Sequence, residues 1–552
     1  MPAVVGIAWA TYAVVAAGLF VFSAGFTRHY QNKHESEWFA TAVTIIALGL
    51  VFCTLALLPI DIFLVSSTVD SHTGLKKEWA SPDIMRTITF TVQLVYYIFY
   101  GLIALFSFLL IPFAYFYFEE YDDEQPLRER ITGALKYTSF FIIISTLLFL
   151  CGLFLKPSQT TPHLDLDWFK KLLIESNGEK AIAFMIACLI LLGMLVFIGY
   201  TAPGLSILPL NMIKGRRHLE AESEDVENRL VAVQHQQHVL QTKYGRPNRR
   251  ITAKEQRELE MLEDEERILT RRLRGINQDK ASIWRQILKV IRPFEFLLGF
   301  ALLGLTWVVV ISIFLTIVDK VSNSICGGEC GFIISHPKLF NPINFIFVNL
   351  SKVFPLDYIF MVLLILYFFL ATMSGVICIG VRVLWVTLYR IGKGSTAPQG
   401  LLCSTVLLML SLLALNYTLT TTVAPGYAHF GSQVYCNHTI GDRRDCSSDA
   451  DQILPCDIDG PTDICTPTVS STLIDRITVN TPFFGMVYYY AQWAFLGVFA
   501  LGFVIAVFRR PRNNVEAESE DLIDAEEERG LLTGSRPRQL YDSNHNNNNS
   551  SY

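Results

Sequence analysis

The sequence predicts an all-α, polytopic membrane protein with about nine transmembrane helices and a cytosolic helical hairpin. Three observations carry this. Just over half of the 552 residues are hydrophobic and only 17% are charged, the apolar residues fall in long uncharged runs, and the charge is gathered into one central loop and one tail. A soluble core would not need apolar sequence in uninterrupted blocks, whereas a helix crossing about 30 Å of hydrocarbon needs about 20 such residues in a row.

Nine runs meet that length: 4–26, 39–65, 89–117, 135–155, 181–208, 295–318, 357–387, 400–424 and 484–508. The third and seventh are long enough to tilt or to project beyond the bilayer. The first has no basic residue before it and is longer than a signal-peptide core, so it reads as a retained helix. These runs divide the chain into a membrane domain at 1–213 (five helices), a cytosolic hairpin at 214–293, a second membrane section at 294–508 (four helices) with a cysteine-rich lumenal loop at 425–483, and a disordered cytosolic tail at 509–552.

Basic clusters set the orientation. The segments 214-KGRR-217 and 509-RRPR-512 abut helix ends and place both on the cytosolic side, although Lys76, Lys77, Lys170 and Lys171 then fall outside. With the N-terminus lumenal, an odd span count puts the C-terminus in the cytosol. The six loop cysteines, Cys326, Cys330, Cys436, Cys446, Cys456 and Cys465, then share the oxidising side and suit disulfides. The last four allow three pairings, and spacing does not choose among them. The sequon Asn437-His438-Thr439 lies on the same side and marks a glycosylation site.

The hairpin is read from Val226, Leu230, Val233 and Leu240 and then Leu259, Leu262, Leu269, Leu273 and Ile276, two helical seams separated by a Gly-Arg-Pro-Asn break. It is either packed on itself or a docking surface for another protein. The acidic tail carries two dileucine-type patterns, Glu518 with Leu522-Ile523 and Glu527 with Leu531-Leu532. They read either as sorting signals for a clathrin adaptor or as the apolar face of a short helix.

Catalytic chemistry is not apparent. Gly392-Lys393-Gly394-Ser395 lacks the upstream glycine of a phosphate loop, and there is no HExxH, GxSxG or paired CxxC pattern. No enzyme activity, no catalytic cofactor, no resident metal and no nucleic-acid partner are expected; membrane lipid is the surrounding partner. What remains is polar residues in or beside the spans. Asp61, near the outer end of the second run, is either a pathway residue or an interfacial cap. Asp357 opens the seventh run and suits a helix amino end. Pro203, Gly204 and Pro209 are expected to break the fifth helix, either to line a pathway or as a packing kink.

Several stretches together resemble the lipocalin-receptor and limb-region-1 membrane protein family: Leu58-Pro59-Ile60-Asp61-Ile62-Phe63, Ile111-Pro112-Phe113-Ala114-Tyr115, Leu208-Pro209-Leu210-Asn211-Met212, Phe354-Pro355-Leu356-Asp357-Tyr358 and Gln492-Trp493-Ala494-Phe495. The likeness is greatest to the branch concerned with lysosomal cobalamin. It implies a lysosomal membrane protein of nine helices that exports cobalamin, a cobalt-bearing cargo, to the cytosol beside an ABC transporter of the fatty-acid-transporter-like subfamily, which would supply ATP hydrolysis. No Asp-x-His-x-x-Gly offers a histidine to cobalt. The alternative from the same family is an endocytic cell-surface receptor for a lipocalin-like ligand, with the tail signals serving uptake from the plasma membrane.

Overall fold

The computed structural model describes residues 3–32, 37–119, 127–154, 177–244, 283–324, 338–353, 355–383, 386–392, 396–440, 443–444, 452–457 and 460–508, with isolated positions between them. The described residues form two units, those of 1–210 with 301–507, and those of 211–300 with Phe508.

Among the described residues, nine helices are long and apolar enough to span a membrane: Val4–Tyr30, Trp38–Ser66, Pro82–Glu119, Arg128–Gly152, Ala181–Lys214, Phe296–Asn323, Leu356–Ile379, Pro398–Val423 and Pro482–Phe508. We number them first to ninth. They match the nine apolar runs, with one correction. The seventh was expected to run to 387 but stops at Ile379, where Gly380 takes a left-handed φ of 80°. The chain then turns into a two-stranded antiparallel ladder, β1 (Val381–Val383) with β2 (Val386–Tyr389). A glycine reaches this backbone region without Cβ strain, and the β-branched valines that follow suit a strand.

The second and eighth spans form the centre: 89% and 78% of their most apolar windows are buried, against 17%, 11% and 17% for the first, fourth and ninth. The outer spans turn Val14, Phe140, Ile143, Leu147, Leu501 and Ile505 outward. Such a belt is compatible with lipid and not with water.

In hydrocarbon, burying apolar side chains gives helices little reason to associate, so close packing and interhelical hydrogen bonds carry the load. The fifth and seventh spans cross at Gly204 and Gly375. A Cβ on Gly204 would collide with the Ala371 carbonyl oxygen, and one on Gly375 with that of Tyr200. Beside the crossing, Thr201 Oγ1 lies 2.8 Å from Thr372 Oγ1 and 2.9 Å from Ser411 Oγ, so three fully buried hydroxyls join the fifth, seventh and eighth spans. Tyr200 fixes the end of the seventh span: its hydroxyl donates to Gly380 O at 3.3 Å and accepts from Arg382 N–H at 3.2 Å.

The expected break at Pro203, Gly204 and Pro209 is corrected. The fifth span is continuous from Ala181 to Lys214, with a π-helical turn at Phe197–Thr201. The same device recurs. Each of three π turns, Phe106–Leu110, Phe197–Thr201 and Leu419–Val423, is followed two residues later by a proline, Pro112, Pro203 and Pro425. Proline has no N–H and its ring clashes with the carbonyl four residues back. That carbonyl lies inside the π turn in all three cases; at Pro112 and Pro203 the helix continues and the wider coil relieves the clash, whereas at Ala424 the backbone leaves the helix and Pro425 opens the next one. Pro209 stays within regular helix.

At the end of the bundle carrying residues 425–480, two further antiparallel ladders form, β3 (Val434–Cys436) with β6 (Ile453–Pro455) and β4 (Thr439–Ile440) with β5 (Arg443–Arg444). In the second unit, Val233 and Leu269 pack together with Leu230 and Leu262, and Gln234 Nε2 donates to Glu266 Oε1 at 2.9 Å. These contacts join residues of the two seams read from the sequence.

The crossing gives a direct test. Gly375→Ala should destabilise the protein by about 1–3 kcal/mol, the usual cost of overpacking, and lower its melting temperature in nanodiscs. Gly304→Ala, where the added Cβ meets nothing within 4 Å, should leave the melting temperature unchanged.

Candidate functional site

The end of the bundle next to the disulfide-bearing segment collects buried ionisable side chains from five elements. Burying a charge near a membrane is costly unless it is paired, so each partner defines what the layer is built to hold.

Asp61, 1% exposed, closes the second span and accepts a hydrogen bond from Ser470 N–H at 2.8 Å. It therefore lies against the amino end of the Val469–Asn480 helix, where unpaired N–H groups and the helix dipole favour a carboxylate. Thr468 caps that helix conventionally, accepting from Ser471 N–H, and its own hydroxyl donates to Ala428 O at 2.7 Å.

Asp357 is the second residue of the seventh span. Its Oδ1 accepts from Tyr358 N–H at 2.9 Å and its Oδ2 from the Tyr427 hydroxyl at 2.7 Å. Burial, followed by the Asp357 carboxylate, holds the Tyr427 phenol well above its ordinary pKa, so it stays a donor. The Tyr427 ring stacks on Phe347 at 4.7 Å between centroids. Phe347 belongs to the Pro342–Leu350 helix, which Asn341 caps. The Asn341 Nδ2 also reaches Thr316 Oγ1 at 3.0 Å and Val423 O at 3.1 Å.

Sequence reading missed the next group. His429, on the short Pro425–Phe430 helix, places Nδ1 2.8 Å from Pro425 O and Nε2 3.0 Å from Asp475 Oδ2. Lys320, near the end of the sixth span, is 8% exposed and acts electrostatically on both residues. A carbonyl and a carboxylate only accept, so this geometry is satisfied when both ring nitrogens carry protons. Burial alone would lower the His429 pKa. The Asp475 charge, its hydrogen bond and the Pro425 carbonyl outweigh burial and Lys320, so the net shift is upward. With both nitrogens committed, the ring cannot act as base toward a nucleophile. Neighbouring Asp319 accepts from Asn323 Nδ2 at 2.6 Å and from Lys338 N–H at 3.1 Å.

Below this layer lies a cavity of about 20 Å³. The third span contributes Tyr97 and Tyr100, the fifth Ala183, Ile186 and Ile190, and the eighth Leu413, Asn416 and Tyr417, while Leu473, Ile474, Arg476 and Ile477 of the 469–480 helix close it. These are the three spans with π turns among the described residues. Asn416 donates through Nδ2 to the Tyr100 hydroxyl at 2.8 Å, and its Oδ1 is buried with no hydrogen-bond partner. The space suits a water molecule.

Among the other residues singled out from the sequence, Asn437 is exposed just after β3. Among the described residues two disulfides form, Cys436–Cys446 and Cys456–Cys465. Cys326, Cys330, Glu518, Leu522, Ile523, Glu527, Leu531 and Leu532 lie outside the described residues. Pro203 and Gly204 sit at the crossing of the fifth and seventh spans, and Pro209 lies further along the fifth. Among the described residues, no group of three or more His, Cys, Asp or Glu could hold a metal ion.

The fold and this layer define a polytopic α-helical membrane protein with a paired, buried ionic network at one membrane boundary. The model of the LMBR1-like membrane protein family matches residues 8–267, and the chain belongs to that family. A protein of Sclerotinia sclerotiorum is 40% identical over 96% of this chain and 93% of its own length. One of Ajellomyces capsulatus is 40% identical over 96% and 94%, and one of Pyrenophora tritici-repentis 40% over 90% and 89%. All three are named probable lysosomal cobalamin transporter. No solved structure matches the chain.

Two outcomes follow for this region. Non-reducing peptide mapping should recover Cys436 linked to Cys446 and Cys456 linked to Cys465, and replacing either pair by serine should cost about 2–4 kcal/mol. Asp61→Leu should cost about 2 kcal/mol by leaving the Ser470 N–H unpaired, read as a lower melting temperature with the helix content unchanged.

Proposed function

We propose that this chain moves cobalamin out of the lysosome. The carrying observation is the 40% identity over 96% of the chain to relatives named as probable lysosomal cobalamin transporters. In this reading the cargo is cobalamin, the protein is a transporter and not an enzyme, and no cofactor is bound for catalysis. The N-terminus and the disulfide-bearing segment face the lumen, Asn437 carries glycan, and the C-terminus lies in the cytosol, where its dileucine patterns engage a clathrin adaptor. The chain works as an escort or subunit beside an ABC transporter of the fatty-acid-transporter-like subfamily.

Deleting the gene and supplying labelled cobalamin tests this. The label should accumulate in the lysosomal fraction and fall in the cytosol, and re-expression of the chain should restore the cytosolic pool. An unchanged distribution would remove the reading. Reduced uptake at the cell surface with no lysosomal accumulation would favour an endocytic receptor instead.

A further inference from the structure

We propose that His429 and Asp475 form a proton-binding site that latches the 469–480 helix over the cavity between the third, fifth and eighth spans. Two of the polar contacts that hold this helix use a carboxylate. Its amino end rests on Asp61, and one turn further on Asp475 meets His429 across 3.0 Å. Between these points and just beyond, Leu473, Ile474, Arg476 and Ile477 form one wall of the cavity. Releasing the second fastening loosens the part of the helix that covers this space, leaving it to its apolar face and the Thr478 contact with Tyr417.

The chemistry of the latch is one proton. A proton taken from solution makes the imidazolium, whose two N–H groups donate to Pro425 O and to the Asp475 carboxylate. The neutral ring carries one N–H and can satisfy only one of these acceptors. Whichever nitrogen keeps its proton, the positive charge opposite the carboxylate is lost. His429 is 14% exposed and Asp475 8%, so water screens the pair weakly.

Other charged and titratable groups face this pair from each neighbouring element. Lys320 of the sixth span is held near Asp475 and opposes the proton on His429. Tyr417 of the eighth span feels Asp475. Asp61 of the second span lies at the other fastening, and Tyr427 on the His429 helix is engaged by Asp357 of the seventh. The His429 pKa is raised above its ordinary 6.5. Its contribution is therefore complete below that ordinary value and is lost as pH rises through the raised one. The amino-end fastening also uses a carboxylate, so the measurement is made in the Asp61→Asn chain as well as in the parent.

Hydrogen–deuterium exchange of the full-length protein in nanodiscs, corrected for intrinsic rates, reads the latch without any transport measurement, so its failure is distinct from failure of the proposed function. Protection of the 471–477 amides should fall about tenfold or more between pH 5 and pH 8, while 398–418 stays constant. His429→Gln, which cannot titrate, should abolish this dependence, and Asp475→Asn should move its midpoint to lower pH. If His429→Gln does not fold, the Asp475→Asn midpoint decides alone. Equal protection of 471–477 at both pH values in both the parent and the Asp61→Asn chain, a dependence that survives in His429→Gln, or a midpoint unmoved by Asp475→Asn would overturn the proposal.

Discussion

The close approach of the fifth and seventh spans is the constraint on which the other arrangements rest. Lipid offers no hydrophobic drive for helices to associate, so backbone must meet backbone. Gly204 and Gly375 are the residues that let it. Once the two helices lie this near, Thr201, Thr372 and Ser411 come within hydrogen-bond reach and bind in the eighth span. Tyr200 then sets where the seventh span stops. With that helix fixed at both its crossing and its far end, its first turn delivers Asp357 to Tyr427, and the segment after the eighth span is anchored in turn.

The buried charges at the opposite tip of the same helix are therefore a consequence of packing further down. Asp61, Asp357, Asp475, His429 and Lys320 come from parts of the chain up to 414 positions apart, counting from 61 to 475, yet each carboxylate meets a hydrogen-bond donor. Such a layer contributes little net stability, because desolvation offsets attraction. Its value lies in making the position of the 469–480 helix depend on particular partners, which general apolar packing would not do.

Much of this was legible in the sequence because a bilayer imposes length and polarity so strictly. The nine spans appear as nine apolar runs, and the outer cysteines separate from those inside the spans. The seventh span was overextended because Val381 and Val383 continue its apolar character past Gly380, and hydropathy cannot tell a strand from a helix. Pro203 and Pro209 looked like a break because propensity treats each proline alone, while the fold widens one turn around Pro203 and keeps the helix. His429 and Asp475 carry no motif: one is a lone histidine in a loop and the other a lone aspartate 46 residues later. Lys320 could have been noticed as a charge at the end of an apolar run. The cysteine pairing needed coordinates, since three arrangements fit the spacing equally.

The π turns have an evolutionary and a geometric side. A π turn is an α-helix that has accepted one additional residue, and each residue advances the helix by about 100°. Everything beyond Phe197–Thr201 therefore faces a direction rotated by about that angle from where an uninterrupted helix would aim it. Gly204 looks toward the seventh span because of that extra residue. Removing one residue from the turn would leave composition, hydropathy and span length almost untouched, yet it would swing Gly204 off its partner. Alignments of related chains that slip by a single position here would pair residues on opposite faces, so insertions and deletions at this turn carry more meaning than substitutions around it.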